Sequence, residues 1–246
     1  MSAYISFLAV LAISLIGVTL PKWRMFRRHR HPPILSVAAG IGIAYVFLVL
    51  LPKLAEIEDA LGEGGGDGTI LPVALNAYLG ALAGFVMFLL IANKGFFEDD
   101  RQAGAKLSLG ELTVFCVFCV YYAQVGFLLG EWPSANIFGY LPLVCAFGLH
   151  FIGINFHLWK RYPVKYPKAL RWLFALSLLL GWIASVTAEG IADVVKFSTM
   201  FVAGGIIITA MREEIPAQRD VNILYFLGSV TITAIFILIV EIYLLR

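Results

Sequence analysis

Long apolar runs separated by short clusters of charged and turn residues set the pattern of this chain. Eight of them come near or exceed the roughly 20 apolar residues that a bilayer-spanning helix needs. They lie near 2–20, 34–53, 71–92, 107–129, 138–159, 170–190, 195–211 and 223–244. The runs are too long and too uniformly apolar for the alternation of a membrane barrel strand. Helices, which satisfy their own backbone in lipid, are the predicted element. Glu189, Gly190 and Asp193 mark the break between the sixth and seventh runs. The first run has neither a basic leading segment nor a small-residue cleavage site, and reads as a retained helix.

Composition narrows the class further. Of 246 residues, 61% are hydrophobic and only 14% charged, with a mean hydropathy of +0.89. That excludes disorder, collagen and a disulfide scaffold, and leaves an all-α integral membrane protein with one transmembrane domain over 1–246. A net charge of +2 gives no reason to expect nucleic acid. No connection is long enough for a soluble domain.

The charges test the count of spans, because Lys and Arg concentrate in cytoplasmic loops. The first loop holds Lys22, Arg24, Arg27, Arg28 and Arg30, and the third Lys94, Arg101 and Lys106. The fifth holds Lys160, Arg161, Lys165, Lys168 and Arg171, and the seventh Arg212 and Arg219. Fifteen of 18 basic residues thus alternate with eight spans, which puts both termini on the non-cytoplasmic side. The second loop, with Glu56, Glu58, Asp59, Glu63 and Asp67 around Gly64-Gly65-Gly66, reads as a solvated turn outside. Trp23 and Phe26 in the basic first loop suggest an anchor to anionic lipid.

Two segments resemble each other. Val37-Ala38-Ala39-Gly40-Ile41 runs on to Leu51-Pro52, and Val202-Ala203-Gly204-Gly205-Ile206 runs on to Ile215-Pro216. Small residues open each helix and a proline closes it, while the charge-derived topology gives the two opposite directions. That is the pattern of an inverted repeat of helices 1–3 and 6–8; close packing and helix termination in any bundle account for it equally well.

Polar groups at membrane depth are the candidates for function. His150 falls near the middle of the fifth helix, as a ligand or proton carrier or as a neutral imidazole hydrogen-bonded between helices, with Asn155 and His157 toward the cytoplasmic end. His150 and His157 are about 10 Å apart along the axis, too far for one ion, and His157 beside Trp159-Lys160-Arg161 reads as interfacial. Glu189 and Asp193 share a face if the sixth helix continues, and would attract cations at a pore mouth or merely solvate a helix end. Glu111 complements the dipole of the fourth helix, and Gln124 and Asn76 are expected to bond between helices. Cys116 and Cys119 form C-x-x-C, yet in an apolar setting without a cation nearby they read as small buried hydrophobes, and Cys145 is likewise apolar in context. Gly80-x-x-x-Gly84 permits a close crossing with an unspecified partner. No nucleophile and base set, metalloprotease motif or phosphate loop occurs, so no enzyme is expected.

Ala38-Ala39-Gly40-Ile41 through Leu51-Pro52, Gly148-Leu149-His150-Phe151, and Val202-Ala203-Gly204-Gly205 through Ile215-Pro216 carry a resemblance. On these residues the chain resembles the ZIP (Zrt/Irt-like) metal transporter superfamily, and within it a group of bacterial ZIP-related membrane proteins. The resemblance implies eight helices, both termini outside, a bacterial inner membrane, and transport of a divalent cation of the Zn, Mn or Fe class. The chain lacks the family's His-Asn-x-x-Asp and His-Glu-x-x-His-Glu clusters. His150 with Asn155 would stand for the first and Glu189 with Asp193 for the second. The expected metal set is therefore His150, Asn155, Glu189 and Asp193, with no resident cofactor and Zn²⁺ or a similar ion as cargo. The lipid bilayer is the expected partner, and a homodimer stays open. The competing expectation is a non-transporting scaffold, sensor or lipid-binding protein that keeps the bundle.

Overall fold

The structure is a computed structural model that describes residues 2–24, 33–63, 76–92, 109–131, 137–187, 200–208 and 222–244. Among these residues the regular structure is entirely helical, in eight helices. Helix α1 is Ser2–Thr19, continued by a 3-10 turn at Leu20–Lys22; α2 spans 33–63; α3 is Asn76–Ala92; α4 is Leu109–Glu131. Helix α5 is Ile137–Arg161, α6 is Tyr166–Thr187, α7 covers 200–208, and α8 is Ile223–Leu244. Each expected apolar run holds one of them. Among the described residues four stretches are long and apolar enough to cross a membrane: Ala3–Lys22, Pro33–Glu56, Gly110–Glu131 and Tyr166–Thr187.

Pro52 does not close α2, contrary to the sequence expectation. The chain widens into a π turn at Val46–Leu50, where the Leu51 amide reaches back to the Val46 carbonyl. A new α segment, Leu51–Glu63, then begins with Pro52 in its first turn, where a missing N–H is tolerated. The acidic stretch expected as a solvated turn is consequently helical as far as Glu63. Glu58 is buried, and its Oε2 accepts the Ala77 amide at 2.6 Å, so a carboxylate caps the start of α3. The same device starts α6 four residues earlier than expected: a π turn at Tyr166–Leu170 holds Pro167 in its first turn.

Contacts along each interface fix the relative directions. On α2, Ser36 Oγ accepts the Asn222 amide just before α8, and Gly40 lies against Phe226 and Ser229 one turn on, so α2 and α8 are parallel. Gly80 meets Met200 and Gly205 meets Phe88, which makes α3 and α7 parallel. Phe118 meets Phe174 and Gly130 meets Ser185, which makes α4 and α6 parallel. Ser6 bonds Trp182 while Val18 bonds Arg171, so α1 and α6 are antiparallel. Tyr121 meets His150 while Phe115 meets Tyr162, just past α5, so α4 and α5 are antiparallel too. Helices of equal parity run together and those of unlike parity oppose, as in a chain that traverses one slab repeatedly.

Close approach at these crossings depends on glycine. A Cβ at Gly84 would come within 1.8 Å of the Phe201 carbonyl oxygen, and one at Gly204 within 1.7 Å of that of Ala81. The Gly80-x-x-x-Gly84 face therefore has its partner, α7. A second such face, Gly126-x-x-x-Gly130 on α4, receives Leu178, Trp182 and Ser185 of α6, and Gly181 answers from the other side.

Outward faces are apolar, with Leu224 79% and Ile232 70% exposed, whereas Ser6, Ser14, His150, Asn155 and Ser177 are buried. This inverts a water-soluble bundle and suits a hydrocarbon surround. Charge is segregated along the bundle. One end holds Lys22 and Arg24 after α1 and Lys160, Arg161, Lys165, Lys168 and Arg171 around the α5–α6 junction. Glu56, Glu58, Asp59 and Glu63 belong to the far end of α2, and Glu131 to that of α4. Glu111, expected only to complement the α4 dipole, also pairs with Lys165 at 2.5 Å and ties α4 to the junction.

Gly181→Ala should lower the thermal midpoint of the detergent-solubilised protein by the equivalent of about 1–3 kcal/mol, since its Cβ would meet the Ala123 carbonyl at 1.7 Å. Gly228→Ala, with nothing within 4 Å of its Cβ, should leave the midpoint unchanged or raise it. Size-exclusion profiles after heating compare the two.

Candidate functional site

At the middle of α4 two adjacent tyrosines straddle α5. Tyr121 Oη and His150 Nε2 share a buried hydrogen bond of 2.7 Å, with the His150 residue only 4% exposed. Position 150 is the midpoint of Ile137–Arg161 to within one residue, and position 121 that of Leu109–Glu131. The imidazole therefore lies at the centre of both helices. Phe151 fills the fork between the tyrosines, stacked on Tyr121 at 6.0 Å and edge-on to Tyr122 at 4.6 Å.

Tyr122 turns the other way, to Asn155, which is 1% exposed. Asn155 Oδ1 accepts from the Tyr122 hydroxyl at 2.8 Å and from the Tyr166 hydroxyl at 2.5 Å, while Nδ2 donates to the Phe151 carbonyl at 2.6 Å. Both lone pairs of the amide oxygen are thus engaged. The Tyr166 hydroxyl is also 3.1 Å from the Gly17 carbonyl, so its single proton serves two acceptors. A Cβ at Gly17 would lie 3.2 Å from Asn155 Oδ1, so the amide would have to yield by a few tenths of an ångström to any side chain there. Next to it, Arg171 Nη1 donates to the Val18 carbonyl at 3.0 Å. Carbonyls of the last turn of α1, which have no acceptor role within their own helix, are thereby satisfied from α6. One clasp joins α1, α4, α5 and α6.

His150 and Asn155 engage different partners. Five residues on a helix place them about 140° apart around the axis and about 7.5 Å along it, enough to send one to Tyr121 and the other to Tyr122 and Tyr166. Glu189 and Asp193 lie outside the described residues. Among the described residues no group of three or more His, Cys, Asp or Glu is arranged to hold a metal ion. His157 is half-buried with its ring 5.8 Å from that of Phe156, close to the basic end. Tyr162, in the turn after α5, lies under the Arg161 guanidinium, and burial pushes its phenol above the ordinary value.

Two sequence expectations need correction. Gln124 does not complete an interhelical bond through its oxygen: Oε1 is buried with no partner. Cys116 and Cys145 are exposed on outer helix faces, and Cys119 is intermediate, because the apolar context that suggested burial is here the context of an outward surface. The tyrosines were the groups missed. Their sequence signal was the pair Tyr121-Tyr122 in mid-run, polar hydroxyls at the depth of His150. Compared with known proteins, the chain matches no family model and no curated protein sequence.

Asn155→Ala should cost about 1–3 kcal/mol, because it takes the amide acceptor from two buried phenols and leaves Tyr166 only the Gly17 carbonyl. Tyr166→Phe, which leaves Tyr122 on the amide, should cost less. Denaturant titration in detergent gives the order, and equal losses would contradict the shared-acceptor geometry.

Proposed function

We propose that this is an integral membrane protein of the ZIP-like class, built as an inverted repeat, whose eight helices cross the bilayer with both termini outside and carry a divalent cation. The observation that bears most of this reading is the imidazole of His150 at the centre of α4 and α5. An ionisable group retained at that depth is costly, and is a candidate for binding a permeant or a proton. In this reading His150 Nε2 exchanges its bond to Tyr121 for the cation. Glu189 and Asp193, from the segment between α6 and α7, supply carboxylate oxygens, and Asn155 stays a structural tie. A borderline cation of the Zn class suits such nitrogen and oxygen donors.

The helix contacts support the repeat. Exchanging α1 with α6, α2 with α7, α3 with α8 and α4 with α5 carries the α2–α8 crossing onto α7–α3. The same exchange carries α4–α6 onto α5–α1 and leaves α1–α6 in place; every one of these contacts is present. Gly40 on α2 and Gly204 on α7, one residue out of register in the matched segments, each make the close approach of their pair. The segregation of Lys and Arg to one end of the bundle supports the orientation.

A non-transporting bundle is the second reading, favoured by the full use of Asn155 and by the lack of a three-donor group among the described residues. Uptake of Zn²⁺, Mn²⁺ and Fe²⁺ into proteoliposomes separates the two. Transport predicts flux above empty vesicles for wild type, a loss of at least about tenfold for His150→Ala, since a removed ligand costs more than a second-shell contact, and a smaller loss for Tyr121→Phe. Wild-type flux equal to that of empty vesicles would establish the second reading. Equal flux from wild type and His150→Ala would remove His150 from the path.

A further inference from the structure

Near the start of α6 the bundle carries a surface of two chemistries in line. Lys168 is exposed at the basic end. Trp172, Leu176, Leu180 and Ile183 follow it at helical spacing, each about half exposed, and carry an apolar stripe along the helix. Arg171 stands beside Lys168 with its guanidinium 5.2 Å from the Trp172 ring and Nη1 held by the Val18 carbonyl. The guanidinium is therefore oriented before any ligand arrives. Glu111, the acid placed at this end among the described residues, is taken by Lys165. Lys168 thus faces outward, with the half-buried Arg171 adding its charge beside it, and among the described residues neither is paired with an acid.

We propose that this corner, Lys168 and Arg171 above the Trp172–Ile183 stripe, binds an anionic glycerophospholipid such as phosphatidylglycerol. Its phosphate lies against the two cations and its acyl chain along the stripe. The pairing of a compact positive site with a long exposed apolar track matches an amphiphile better than a soluble anion, which has nothing to lay on the track, or a zwitterionic lipid, whose ammonium would be repelled. The indole of Trp172 sits where its amphipathic ring suits the headgroup level. Binding here is independent of whether the bundle transports an ion, so its failure would leave the previous reading untouched.

The full-length protein, reconstituted in mixed phosphatidylglycerol and phosphatidylcholine nanodiscs and released for native mass spectrometry, reports which lipid it retains. Wild type should prefer phosphatidylglycerol. Lys168→Gln should reduce that preference about fivefold, the effect of one basic residue near an anionic surface. Lys53→Gln, at the opposite end, should leave it unchanged. Lys168 is exposed, so its loss should not disturb the fold, and an unshifted thermal midpoint checks this. Retention by Lys168→Gln equal to wild type would overturn the proposal. So would an equal drop in Lys53→Gln, which would mean diffuse attraction, or displacement of the lipid by equimolar glycerophosphate, which would mean that the track plays no part.

Discussion

A hydrogen-bonding atom inside an apolar bundle has only the protein to bond with, and the arrangement of this chain follows from that constraint. Asn155 illustrates it. The amide is surrounded by four helices, and each supplies or faces part of its bonding: Tyr122 from α4, Tyr166 from α6, Phe151 from α5 itself, and the Gly17 backbone from α1. Because a missing partner would leave a desolvated dipole, the helices cannot slide past one another without breaking a bond that water is not there to replace. The clasp also fixes the level at which Tyr121, the neighbour of Tyr122, reaches His150.

Close backbone approach is the complement of that constraint. Between helices whose outward faces are as apolar as their contacts, close packing comes from the small residues that permit it. Glycines on α2, α3, α4, α6 and α7 bring neighbouring carbonyls to distances that no side chain could share. Polar clasps then sit where the backbones are nearest and short side chains such as Ser6 and Ser36 can bridge.

The number of helices and their order were legible in the sequence, because each long apolar run bounded by charged or turn residues marks one helix. The ends of α2 and α6 were not. Pro52 reads as a breaker until the π turn beside it is seen, and nothing in a one-dimensional pattern announces the π turns at Val46–Leu50 and Tyr166–Leu170. The candidate residues were legible in part. His150 and Asn155 stood out as polar letters in an apolar run and both are buried. Their division between two tyrosines depends on rotation about α5, which sequence spacing only bounds. The tyrosines went unread because a phenol counts as aromatic in composition and as a donor only once its neighbour is known.

The unbroken course of α2 through Pro52 has one more implication. Thirty-one residues from 33 to 63 at helical rise measure about 46 Å, against about 30 Å of hydrocarbon. In the proposed bilayer-crossing arrangement that surplus is taken up by tilt or by projection beyond the hydrocarbon, and the end of α2 is braced where Glu58 grips α3. Glu56 and Asp59, exposed on that helical end, are thereby held at a fixed level relative to α3 instead of on a loose turn.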